Sequence, residues 1–123
     1  MEARDISKTS SLWLYGRDNE QKNAMLSALV VGKHALHFKC HEIHERLKKY
    51  GSAALTRSAR GYDVVVLHDL YPDDNHTGEH MAEVIAEWID DRCQVIVLSV
   101  CSLAQYARDQ SVLIEDLIQM VYV

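Results

Sequence analysis

One proline and five glycines in 123 residues leave no room for a flexible linker or a low-complexity tract. No glycine-rich run follows Gly16, which argues against a phosphate-cradling loop there. Three cysteines, Cys40, Cys93 and Cys101, are an odd number, and none forms a CxxC pair, so a disulfide framework is excluded. The first ten residues are polar and do not read as a secretion signal, which together predicts a reducing, cytoplasmic setting. No stretch approaches the roughly 20 apolar residues that a membrane span needs. Positive charge is also short: the net charge is −5. That balance argues against a chain held to nucleic acid by phosphate contacts. The one basic stretch, Arg46, Lys48, Lys49, Arg57 and Arg60, reads as a solvated helix face.

What is present is ordinary globular material, 48% apolar and 25% charged, in a one-domain length. Residues 1–10 read as a polar arm and 11–123 as the domain. SLWLYG at 11–16 is a short strand, and Asp18 or Asn19 caps a helix striped with Met25, Leu26, Leu29 and Val30. Leu36 and Phe38 alternate with His37 and Lys39 as in a strand. A helix follows from Glu42 to about Ser58, with a break at Gly51. YDVVVLHDL is a strand buried on both faces. In the next helix Met81, Val84, Ile85, Trp88 and Ile89 share one face, and CQVIVLSV is a further apolar strand. The tail from Ser102 carries Leu113, Ile114, Leu117 and Ile118 at helical spacing before a closing VYV. Alternation of this kind predicts one doubly wound α/β domain. Its parallel sheet has four to five strands with helices on both faces, and Leu12–Leu14, Val64–Leu67 and Val95–Leu98 are adjacent. The functional crevice of such a sheet lies beyond the carboxyl ends of its strands.

YDVVVLHDLYP resembles the third strand of a response-regulator receiver domain, and VIVLS at 95–99 resembles the fourth, with Ser99 on the small hydroxyl position. The resemblance implies a flavodoxin-like, receiver-like fold. It also implies that phosphorylation is lost. His68 stands at the acceptor position, Tyr15 and Gly16 stand where an acid pair would hold magnesium, and no lysine follows Lys49. LWLYGRD, LHDL, NHTG and LS are similar to stretches of the receiver-like domains of the cyclic-phosphate-processing group. That resemblance implies that His68 and Asp69 are the remnant of a site.

Candidate catalytic residues are therefore His68, Asp69 and Ser99. His68, Asp69, Asp73, His76 and His80 are candidate metal ligands, being imidazoles and carboxylates within a short stretch. Cys40 and His44 are a further possible ligand pair. Beside these readings stand plainer ones: helix capping for the loop acids and core packing for Cys40. The resulting expectation is a non-enzymatic pseudo-receiver that binds a protein partner, or itself, in bacterial or phage signalling. Leu113, Leu117, Met120 and Tyr122 offer the contact, and no cofactor is needed. The alternatives are a small phosphate-ester enzyme using His68 and Asp69, or a divalent-metal-binding domain.

Overall fold

The computed structural model describes residues 10–71, 77–107 and 114–123. Ten elements follow one another: β1 (Leu12–Tyr15), α1 (Asn19–Val30), β2 (Ala35–Lys39), α2 (Cys40–Tyr50), α3 (Ser52–Ser58), β3 (Val64–Leu70), α4 (Thr77–Asp90), β4 (Gln94–Ser99), α5 (Leu103–Ala107) and β5 (Gln119–Tyr122). The expected α/β class holds. All five strands run parallel in one sheet, ordered β2-β3-β4-β1-β5. The three apolar strands do lie side by side, with β4 between β1 and β3.

That order is not the receiver order. A flavodoxin-like sheet runs 2-1-3-4-5, with β1 between β2 and β3. Here β1 has moved past β3 and β4 and pairs with β4 and β5. The chain therefore crosses from β1 over two strands to reach β2, and all later crossovers run the opposite way. Right-handed crossovers then place α1 on one face and the other helices on the opposite face. The core has this division. Leu26 of α1 packs with Leu12, Leu14, Val64, Val66, Ile96, Leu98 and Val121. The larger core gathers Trp13, Phe38, Ile43, Leu55, Met81, Ile85, Trp88, Tyr106 and the alternate residues of β3 and β4. Both faces of the central strands are buried, which is why β3 and β4 are apolar without alternation.

The helix break at Gly51 holds, at φ 83, where a side chain would be strained. The predicted tail helix does not hold as written. Its described parts are the short α5, a turn at Ile114–Leu117 and β5. Ile114 and Ile118 are buried, whereas Leu117 is exposed, Met120 half-buried and Tyr122 exposed on an edge strand. Leu113 lies outside the described residues. So do Asp73 and His76, and with them the loop acids expected to cap the helix.

Candidate functional site: the carboxyl end of the sheet

Two corners occupy this end. The first joins β1 to α1 through Gly16, Arg17 and Asp18. Gly16 has φ +130, and a methyl group on it would run into the carbonyl oxygen of Val123, so only glycine fits. Its N–H donates to the Ser99 carbonyl at 3.2 Å. Helix α1 starts at Asn19, and the Asp18 carboxylate accepts from the Gln21 N–H at 3.0 Å. An acceptor at this place satisfies one of the orphan donors of the helix N-terminus. One turn on, Lys22 is only 2% exposed. Its Nζ donates to the Gly16 carbonyl at 2.8 Å and to the Ser99 carbonyl at 2.9 Å. Burial lowers the Lys22 pKa, and the carboxylates of Asp69 and Asp18 oppose that shift.

The second corner is the end of β3 with its neighbour β2. Leu67 pairs with Val97 but Leu70 pairs with Ser99, so β3 takes three steps where β4 takes two. The extra residue is a bulge, and Asp69 in it has φ 55. A regular strand would turn Asp69 away from the face of His68. The bulge re-aims it, and its charge reaches both Lys22 and His68. His68 is half-buried, and its Nε2 lies 2.8 Å from Nδ1 of the exposed His37. Burial first, then His37 and Lys39, push the His68 pKa below its usual value, against the pull of Asp69.

Ser99 is buried between the corners. Its hydroxyl donates to the Leu70 carbonyl at 2.6 Å and accepts from the Cys101 N–H at 3.1 Å, so it closes the strand end. His80 is exposed on α4. Cys40 and His44 do meet, Sγ to Nδ1 at 3.7 Å, but inside the core, where His44 Nε2 lies 2.7 Å from the Tyr106 hydroxyl. Among the described residues no three His, Cys, Asp or Glu side chains gather to hold a metal ion. No helix among them is long and apolar enough to cross a membrane.

No family model matches the sequence, and a search of curated proteins finds no match. Solved structures do match in fold. The replication initiator DnaA bound to AMPPCP and single-stranded DNA superposes with a TM-score of 0.65 at 16% identity, over 94% of this chain and 40% of that one. The DnaC helicase loader gives 0.70 at 15% identity, over 94% and 79%. DnaI gives 0.68 at 16% identity, over 99% and 74%. The chain thus spans about two fifths of the DnaA structure it matches. At these identities the likeness is one of fold alone. Together with the strand order of this sheet it overturns the receiver reading and the pseudo-receiver and signalling roles drawn from it, and it lends no support to the cyclic-phosphate or divalent-metal alternatives. The expectation against nucleic acid also loses support, since one of these neighbours is bound to single-stranded DNA.

A P-loop is a strand, then G-x-x-x-x-G-K-[ST], then a helix. Gly16-Arg17-Asp18-Asn19-Glu20-Gln21-Lys22-Asn23 keeps the first glycine and the lysine at that spacing, between β1 and α1. Gln21 replaces the second glycine, and Asn23 replaces the hydroxyl residue. The spacing of Gly16 and Lys22 was the overlooked signal: the missing glycine run hid it. The second half of a P-loop site is an apolar strand ending in a magnesium-binding acid. Here β3 carries His68 and Asp69 just before its last residue, Leu70.

Proposed function

We propose that this chain is a P-loop-fold domain of the replication initiator and helicase-loader kind whose phosphate seat is filled by its own side chains. It works as a nucleotide-independent assembly module rather than as an ATPase. The arrangement of Lys22 carries this reading. In a P-loop the lysine reaches the β- and γ-phosphates, and free backbone N–H groups cradle them. Here the ammonium is buried on two carbonyls, the helix begins within the loop, and a carboxylate sits on its first turn. The second glycine, which lets backbone approach phosphate, and the magnesium-binding hydroxyl are both replaced.

Calorimetric titration with AMPPCP and magnesium tests the proposal, and no saturable binding is expected. Binding in the micromolar range would favour a second reading, a working nucleotide site. The retained spacing of Gly16 and Lys22, with Asp69 nearby, speaks for that reading. The partner of such a module is a protein of a replication assembly, and Leu117, Met120 and Tyr122 at the β5 edge are the contact we assign to it. A photo-crosslinking residue at position 122 should capture a replicative helicase or initiator when mixed with it. Capture that is equal from position 80, on α4, would remove the β5 edge from the proposal.

A further inference from the structure

The sheet has two edges, and they are guarded differently. Strand β2 carries Lys39, and the Arg46 guanidinium stands over its Phe38 ring at 5.5 Å. Charged side chains, lysine above all, keep an edge from pairing with further strands. Strand β5 has neither charge nor proline. The N–H groups of Gln119 and Val123 donate to the carbonyls of Ser11 and Tyr15, at 3.0 and 2.7 Å. Backbone groups alternate in direction along a strand, so those of Met120 and Tyr122 point away from β1. Among the described residues no strand pairs with that side. Tyr122 is 72% exposed, and Leu117 just before the strand is exposed as well. A hollow of about 230 Å³, lined by Ser11, Asp116, Leu117 and Gln119 among others, adjoins the start of β5. Glu115 and Asp116 are exposed, and no basic residue stands between Ile114 and Val123.

We propose that β5 receives a further strand from its partner, an extended segment of alternating basic and apolar residues. The proposal rests on the reading of this chain as an assembly module and names the chemistry of what docks on it. Main-chain bonds to the N–H and carbonyl groups of Met120 and Tyr122 hold the segment. Its apolar side chains pack beside Met120 and beside Tyr122, whose ring meets that of Tyr15 edge-on at 5.3 Å between centroids. A lysine or arginine of the segment enters the hollow beside Asp116, and Glu115 adds to the attraction. An acidic segment is repelled there, so charge selects among strands whose backbones pair equally well. The edge is only four residues long, which suits reversible attachment.

The test uses the full chain and a short capped peptide in which lysine alternates with valine, with amide hydrogen exchange followed by NMR. Saturating peptide should slow exchange at Met120 and Tyr122 by roughly tenfold or more and leave Ala35–Lys39 unchanged. The same peptide N-methylated at every amide keeps its charge and side chains but has no N–H to donate, and it should give no protection. A peptide with glutamate in place of lysine should give none either. Asp116→Asn should weaken binding of the lysine peptide by roughly threefold or more. Exchange unchanged at Met120 and Tyr122, protection equal with the methylated or the glutamate peptide, affinity unchanged by Asp116→Asn, or protection centred on β2 would overturn the proposal. It fails separately from the reading it rests on. Cross-linking from position 122 to a helicase or initiator without protection by the peptide refutes strand addition and leaves the assembly module standing. Saturable AMPPCP binding removes the nucleotide-independent module and leaves the protection at β5 unaltered.

Discussion

The two corners at the carboxyl end differ in where their polar groups go. At the β1–α1 corner the charge is buried. Lys22 reaches inward to the carbonyls of Gly16 and Ser99, and Asp18 caps the helix. At the β2–β3 corner the groups face outward. His37 is exposed, His68 half-buried, and Asp69 is exposed on a bulge. An inward-facing polar group is held by bonds that water cannot replace, so its loss disturbs the fold. An outward-facing group has water as a substitute partner, so its loss changes chemistry and not stability. The difference teaches that at one corner a charged side chain ties the fold together, whereas at the other the polar groups face water.

This contrast can be broken by four measurements. The largest effect is expected from Gly16→Ala, which combines a disallowed φ with collision against the Val123 carbonyl. A loss on the order of 3 kcal/mol should appear in urea unfolding. A loss under about 1 kcal/mol would show that the corner is looser than described. Lys22→Met removes both buried bonds while keeping much of the volume. It should cost roughly 2 kcal/mol, less whatever is recovered by no longer burying a cation. If Lys22→Met were neutral, the inward corner would be no more structural than the outward one.

Asp18→Ala removes the cap on the Gln21 N–H and should cost about 1 kcal/mol. Thermal unfolding would measure it, and Asp18→Asn, which keeps an acceptor, should recover most of the loss. The smallest effect belongs to the other corner and shows in the pH dependence. The folded-state pKa of His68 lies below its unfolded value, so the unfolded chain binds more protons between the two. Stability from this group is present above about pH 6.5 and falls as the pH drops through that window. His68→Ala should flatten this part of the profile and otherwise change stability by under about 0.5 kcal/mol. An unchanged slope in the variant would mean that His68 is already solvated like a free histidine.

Much of the fold was legible because it rests on local pattern. The β-branched run at Val64–Val66, the stripe Met81–Val84–Ile85–Trp88 and the breaker Gly51 each act through the residues nearest to them. The tail was misread because Ile114, Leu117 and Ile118 fit helical spacing, yet two of them are buried through a turn and β5 continues as a strand. The site was half legible. His68 and Asp69 do lie at a strand end, as a parallel sheet requires. The pairing of His68 with His37 is a contact across 31 residues that no local pattern records. Asp69 could not be placed without the bulge, since one extra residue reverses the face of a side chain.

By itself the sequence determined that this chain folds into alternating strands and helices around a parallel sheet, because burial on both faces and helical periodicity are properties of neighbouring residues. It also determined the glycine and lysine spacing between β1 and α1. Only the tertiary structure decided the strand order. Several orders bury the same apolar strands equally well on paper, and the choice between them depends on which crossovers pack together across the whole sheet. The position of β1 between β4 and β5 is what separates this fold from a receiver. That same position brings the Ser99 carbonyl to Lys22 and makes the lysine a buried clasp between β1 and β4.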